Sequence, residues 1–308
     1  MRVGVGLASL GRPAYINVGR AEALPGERSV GAMRAACWSV LDAAYARGVR
    51  WVDVARSYGL AEEFLAGWMG ERGVADVTVS SKWGYAYTGE WRTDAEVHEV
   101  KEHSLARFRA QWAESRALLG GRIALYQVHS LTVDSPLFGD EALLAALAGL
   151  AEGGMRVGFS TSGPAQAEVV DRGLALRVAG RPVFTAVQST WNVLEPSVGP
   201  ALRRAREAGI HVLVKETLAN GRLAVTPPAE LAGIADRHGV TPDAVAIAAA
   251  LAQPWADTVL LGPASTAQLA SNLAAADLTL TRADLDRLNG LAEPAAGYWA
   301  TRQALAWH

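Results

Sequence analysis

Four residues in the first half of the chain are of types that together can move a proton. Asp53 and Tyr58 share the stretch Trp51-Val52-Asp53-Val54-Ala55-Arg56-Ser57-Tyr58-Gly59, Lys82 follows in Ser80-Ser81-Lys82-Trp83-Gly84, and His129 in Leu125-Tyr126-Gln127-Val128-His129-Ser130. A tyrosine hydroxyl ordinarily titrates at about 10, too weak an acid to serve well at neutrality. A lysine cation beside it favours the phenolate and lowers that value. A carboxylate holds the ammonium in place, and a histidine can hydrogen-bond a substrate oxygen or help relay the proton. Such a group protonates a carbonyl oxygen as it becomes an alkoxide, and in reverse acts as a base toward an alcohol. Singly, each residue has a plainer role: Asp53 in a turn, Lys82 in solvent, His129 satisfied in the core, Tyr58 as packing. Their joint position at three successive strand ends favours a shared pocket.

The elements that must position them are legible as short β-rich runs alternating with helical stretches. Strands are expected at residues 3–7, 51–54, 77–80, 123–128, 157–160, 186–188, 212–214 and 258–261. Several are apolar without alternation, as parallel strands buried on both faces should be. Helices are expected at 32–47, 62–69, 97–119, 141–151, 165–176, 200–208 and 229–238, with a further start at Thr241-Pro242-Asp243, where Thr241 is a candidate N-cap. Eight βα units in succession predict an α/β fold, a closed (β/α)8 TIM barrel, as one domain over 1–308. An open doubly wound sheet usually carries a Gly-rich turn after its first strand, and no G-x-G-x-x-G follows Gly4-Val5-Gly6. The tail, 293–308, reads as irregular and aromatic and is expected over the barrel mouth.

Composition narrows the function classes. Half of the 308 residues are hydrophobic, 19% are charged, and the formal net charge is −2. No basic excess points to nucleic acid or an anionic membrane surface. No run of about 18 apolar residues reads as a spanning helix, and the first residues are too short and glycine-rich for a signal segment. The single cysteine, Cys37, permits no intrachain disulfide and reads as a small core residue. A cytoplasmic location and a monomer are the default expectations. His98 and His103 are placed on a polar helix at a spacing poor for one metal, and His211, His238 and His308 are scattered, so no metal site is expected.

The four residues, in their order and approximate spacing, resemble the catalytic tetrad of the aldo-keto reductase superfamily. Gly158-Phe159-Ser160-Thr161, Val187-Gln188-Ser189-Thr190-Trp191-Asn192 and the segment from Leu260-Leu261-Gly262 to Asn272 resemble further motifs of that family, so the likeness spans nearly the whole chain. It implies metal-free hydride transfer between a nicotinamide cofactor and an aldehyde or ketone, or the reverse oxidation of an alcohol or sugar. By the same resemblance Tyr58 is the general acid, Lys82 tunes it, Asp53 pairs with Lys82, and His129 orients the carbonyl. Ser160, Thr161 and Gln188 would hold the carboxamide, with Thr161 where asparagine is usual. Leu218 and Gly221 are further cofactor-binding candidates, Arg222 would reach over from the preceding loop toward a 2′-phosphate, and Gly262, Ser265, Gln268 and Asn272 would meet the pyrophosphate-to-adenine half.

Two positions depart from the family pattern. Lys215 stands where an aromatic residue usually stacks on the nicotinamide, and its ammonium beside an oxidised, cationic ring is unfavourable. The stretch Gly262-Pro263-Ala264-Ser265-Thr266-Ala267-Gln268 has no basic residue for a 2′-phosphate. NADPH is expected from the family, with NADH nearly as plausible. Trp83, Tyr85, Trp91 and Trp299 suit either ordinary packing or an apolar substrate pocket. Two other functions stay open at this point: a Schiff-base lyase using Lys82, and a cofactor-sensing subunit.

Overall fold

The computed structural model describes residues 2–307; Met1 and His308, the two ends of the expected domain, lie outside them. Twelve strands occur in chain order: β1 (Val3–Gly6), β2 (Trp51–Asp53), β3 (Thr78–Trp83), β4 (Tyr85–Tyr87), β5 (Glu99–Lys101), β6 (Ile123–Leu131), β7 (Arg156–Thr161), β8 (Arg177–Val178), β9 (Arg181–Pro182), β10 (Ala186–Thr190), β11 (His211–Lys215) and β12 (Thr258–Leu261). Eight close into a barrel in the order β1-β12-β11-β10-β7-β6-β3-β2. Every pairing in the barrel is parallel. This is the (β/α)8 barrel that the alternation predicts, and each of the eight expected runs overlaps one of its strands, with Leu7, Val54 and Val77 just outside.

The helices are α1 (Val30–Ala46), α2 (Ala61–Arg72), α3 (Leu105–Leu119), α4 (Glu141–Glu152), α5 (Gln166–Ala175), α6 (Gly199–Glu207), α7 (Arg222–Val225), α8 (Ala229–His238), α9 (Pro242–Leu251), α10 (Thr266–Leu273), α11 (Arg282–Asn289) and α12 (Ala295–Gln303). Hydroxyl or carboxylate caps start several of them: Ser29, Ser104, Asp140 and Ser265 each accept from a backbone N–H of the first turn. Gly73 and Gly239 end α2 and α8 in left-handed conformation.

Three expectations are corrected. The helix foreseen over 97–119 begins only at Leu105, because Glu99–Lys101 instead pairs antiparallel with Tyr85–Tyr87, and Ser104 caps the helix behind it. His98 and His103 therefore sit on either side of a strand, not on one helix. Thr241 occupies the N-cap position of α9, but its hydroxyl bonds to Ser271 at 2.8 Å and caps no N–H. The tail is not irregular: Pro294 precedes a helix, α12, which buries Tyr298 and Trp299 against Leu194, Leu223 and Leu231. Proline before the first turn and the alanines that follow are good helix-starting residues. Among the described residues no helix is long and apolar enough to cross a membrane.

Candidate active site

Side chains alternate in and out along a strand, and that rule places the chemistry. On β3, Ser80 and Lys82 face Asp53, while Ser81 turns outward and donates to Glu62 of α2 at 2.5 Å. Asp53 ends β2 and is held by four donors: the Lys82 ammonium, Ser80 Oγ at 2.6 Å, Gln188 Nε2 at 3.2 Å and Gln127 Nε2 at 3.4 Å. Lys82 Nζ also donates to the Val54 carbonyl at 3.2 Å and to the Tyr58 hydroxyl at 3.3 Å. A buried ammonium needs this many partners to remain buried.

His129 completes the group. Its ring meets Tyr58 edge-on at 5.4 Å between centroids, and its Nδ1 lies 3.3 Å from Ser57 Oγ. The strand bulges immediately after it: the β6–β7 register shifts between Val128 and Leu131, and Ser130 has φ 52°. Ser130 N donates to Ser160 Oγ at 2.7 Å, which anchors the bulge. Asp53, Tyr58, His129 and Ser130 all line one cavity of about 500 Å³ at the mouth of the barrel.

The electrostatics differ from the sequence expectation in one respect. Tyr58 lies well above the ordinary tyrosine range: burial raises it, the Asp53 carboxylate raises it further, and Arg12 opposes. The lysine does not drive the hydroxyl toward phenolate, because Asp53 neutralises the ammonium at contact distance. Tyr58 therefore rests protonated, as a proton donor must. Burial pushes His129 well below the usual histidine range, with the Lys82 and Lys215 charges adding to it. The imidazole is neutral at physiological pH.

Of the residues expected to meet a cofactor, Gln188, Lys215, Leu218, Gly221 and Gly262 line the cavity. The others have their polar groups committed inside the fold. Thr161 Oγ1 donates to Ser189 at 2.8 Å, and Ser160 accepts from Ser130; Ser162, not these two, reaches the cavity wall. Arg222 pairs with Glu293. Ser265 caps α10, Gln268 accepts from Ala264 N at 2.8 Å, and Asn272 donates to Asp243 at 2.6 Å. Lys215 Nζ donates to Thr190 Oγ1 at 2.8 Å and lies 3.4 Å from Glu216 Oε1. Burial lowers Lys215 to about 8, although Glu216 pulls the other way.

Of the four aromatic residues offered for a substrate pocket, only Tyr85 lines the cavity, its ring 5.0 Å from that of His129. Trp83 follows the inward Lys82 on β3, so alternation turns it outward, against Phe108 at 5.1 Å and His103 at 5.9 Å. Trp91 packs on Phe64 and donates its indole N–H to the Arg28 carbonyl at 2.7 Å. Trp299 lies buried with Tyr298 on the inner face of α12. These three are packing residues.

The cavity wall instead includes Arg12, Tyr15, Glu99, Glu216, Arg302 and Trp307. Arg12, in the loop after β1, is 2% exposed. Its guanidinium carbon stands 4.7 Å from the Tyr15 ring, 4.8 Å from Trp307 and 5.4 Å from Tyr58. Gly11 allows this approach: a Cβ there would stand 2.2 Å from the Tyr58 carbonyl. From α12, Arg302 reaches down to Glu216, with Nε 2.9 Å from Oε2. Neither pairing has a local sequence signature; the glycines at 11 and 59 are the only hint that the β1 loop presses on the Tyr58 turn.

The sequence profile of the Aldo/keto reductase family matches residues 31–293. The aldo-keto reductase str7 of Strobilurus tenacellus is 25% identical over 287 residues, covering 83% of this chain and 81% of its own. The holo form of aldo-keto reductase AKR11C1 from Bacillus halodurans superposes with a TM-score of 0.67 at 21% identity, over 96% of this chain and 93% of that one. The Pseudomonas aeruginosa protein PA4992, assigned as an aldo-keto reductase, gives 0.63 at 24% identity over 90% of each chain. At these identities the solved structures speak for the barrel alone.

Proposed function

Because the chain belongs to the aldo/keto reductase family, whose members are nicotinamide-dependent oxidoreductases acting on small carbonyl compounds, we propose that it interconverts a carbonyl and an alcohol with Tyr58 as the acid and base. The observation that carries this is the Lys82 ammonium 3.3 Å from the Tyr58 hydroxyl, with a neutral His129 beside it on the cavity wall. The cofactor, when bound, supplies or accepts the hydride. In the reducing direction Tyr58 gives its proton to the carbonyl oxygen as negative charge gathers there. Lys82 donates to the phenolate oxygen so formed, and Asp53 holds that ammonium in place. His129, held through Nδ1 by Ser57, turns its other ring nitrogen to orient the substrate oxygen.

The cavity has features that suit the cofactor. Gly6 and Gly262 leave its floor without side chains, and a Cβ at Gly262 would meet nothing within 4 Å. Gln188 would hold the carboxamide, and Ser162, which lines the same cavity, would stand in for Ser160 and Thr161. Lys215 would face the ring, and Leu218, Gly221 and Gly262 the pyrophosphate. Arg222, Ser265, Gln268 and Asn272 remain the residues proposed for the adenosine half. NADPH is the proposed cofactor. With Arg222 paired to Glu293, NADH competes closely. Lys82 has all its hydrogen bonds committed within the fold, which disfavours the Schiff-base lyase. Fluorescence quenching and thermal shift with NADPH, NADH and their oxidised forms test this reading, since a ligand of the native state raises Tm. No response to any of the four overturns it.

A further inference from the structure

Of the 29 basic residues in the chain only three are lysine: Lys82, Lys101 and Lys215. An arginine stays charged, whereas a lysine amine that sheds its proton is a nucleophile. Lys101 lies exposed on the hairpin strand β5 and donates to Thr132 Oγ1 at 2.8 Å. Lys82 is fully buried and spends its three hydrogens on Asp53, Val54 and Tyr58. Lys215 differs from both. Leu213 packs inside the barrel with Leu125, Ala186 and Leu260 of three other strands. Alternation along β11 therefore points Lys215, two residues on, toward the axis at the mouth. Its side chain, 15% exposed, lines the cavity. Among the described residues Nζ has two acceptors, Thr190 Oγ1 and Glu216 Oε1, which leaves its third position to the cavity. Glu216 has φ 55°, a left-handed conformation that is costly outside glycine. That turn breaks the alternation and lays the carboxylate beside Nζ, where Thr190 donates to Oε2 at 3.1 Å and Arg302 fixes it.

We propose that Lys215 is a carbonyl-condensing site: in the absence of cofactor its amine forms a reversible imine with a small aldehyde admitted to the barrel mouth, and the adduct fills the place of the nicotinamide ring. The last clause rests on the cofactor pose given above; the condensation itself does not. The amine lone pair adds to the carbonyl carbon, and one N–H proton passes to the carbonyl oxygen. The carbinolamine so formed loses its hydroxyl and the second N–H proton as water, leaving a C=N bond to Nζ. Nothing is oxidised or reduced, and hydrolysis reverses the step. Thr190, in contact with Nζ, is placed to pass the proton from nitrogen to oxygen. Glu216 Oε1, 3.4 Å away, offsets the charge of the protonated imine as it does that of the ammonium. Burial, which lowers Lys215 to about 8, keeps a working fraction of the amine neutral near physiological pH.

The test is reductive trapping of the unmodified, cofactor-free protein with propanal and sodium cyanoborohydride, which reduces an imine and spares the aldehyde. Peptide mass spectrometry then locates the propyl group among the three lysines and the α-amine. Lys215 is expected to be modified at least about tenfold faster than Lys101 or Lys82. The trapped protein, freed of reagent, is expected to bind NADPH severalfold more weakly, by tryptophan quenching, than a sample given cyanoborohydride alone. Lys215→Arg, checked for folding by its melting curve, should keep its NADPH affinity through the same treatment. The distribution of label in the unmodified protein decides the site even if that variant does not fold. Labelling no faster at Lys215 than at Lys101 or Lys82 overturns the site and leaves the carbonyl–alcohol reading standing. Preferential labelling with NADPH affinity unchanged overturns the competition with the ring. Failure of the untreated protein to bind any nicotinamide cofactor overturns the hydride-transfer reading and not the condensation, which the labelling decides.

Discussion

Lys82 donates to the Tyr58 hydroxyl from 3.3 Å while its charge is already matched by Asp53. The pair is thus set to receive a phenolate, not to create one at rest. Burial and the Asp53 charge keep Tyr58 protonated well above neutrality, and Lys82 becomes most favourable once the proton has left.

Tyr58→Phe removes the proton and leaves the ring in place. Turnover is expected to fall by about 10²–10⁴, the range for loss of a positioned acid, with cofactor affinity within about twofold of the parent. Steady-state kinetics and cofactor titration on the same preparation check both. Retained turnover would assign the acid to another group.

The barrel and three of its strand-end residues were legible because both depend on local pattern. Apolar runs of the right length gave the strands, and residues at their ends must face the mouth. Of the tryptophans open to a packing or a pocket role, Trp83 is settled by strand length: β3 runs on to it, so alternation sends that ring outward once Lys82 faces in. Arg12 and Glu99 lie 87 positions apart, and Glu216 and Arg302 lie 86 apart. No local pattern announces such contacts; the closed barrel brings them together.

Gly11→Ala tests the packing that seats Arg12 against Tyr58. The new methyl would stand 2.2 Å from the Tyr58 carbonyl and 2.5 Å from Ala61 Cβ, so backbone must move. A destabilisation of about 1–3 kcal/mol is expected, together with a fall in kcat/KM larger than the change in Tm alone would cause. Wild-type melting and kinetics in this variant would show that the β1 loop does not set the position of Tyr58.

Glu216 ties α12 to the cavity and should make the fold acid-sensitive. Burial raises its carboxyl, but Arg302 and Lys215 outweigh this and lower it from the ordinary 4.5 to about 2. A carboxylate with a depressed folded value contributes stability that is fully present above about 4.5 and is lost as pH falls toward 2. The contribution is of order 3 kcal/mol. Arg302→Met removes the strongest partner and is expected to cost up to about 3 kcal/mol at neutral pH, and to raise the midpoint of acid unfolding followed by circular dichroism. An unchanged midpoint would show that the pair does not link the tail helix to the barrel.

Lys215 should make affinity for the oxidised cofactor depend on pH. The ammonium is a cation below about 8 and neutral above it, and Glu216 is already engaged by Arg302. A cationic nicotinamide ring placed against it is repelled at pH 7 and relieved at pH 9; the neutral reduced ring feels neither. The Kd of the oxidised form is therefore expected to tighten severalfold between these values, while that of the reduced form stays level. Lys215→Met should flatten the difference, because a methionine of similar length keeps the apolar contact without the charge. Titrations followed by tryptophan quenching at pH 7, 8 and 9 read all four cases. A level profile for the oxidised form in the unmodified protein would mean that the ring does not lie against Lys215, and that the bound cofactor takes another pose in this barrel.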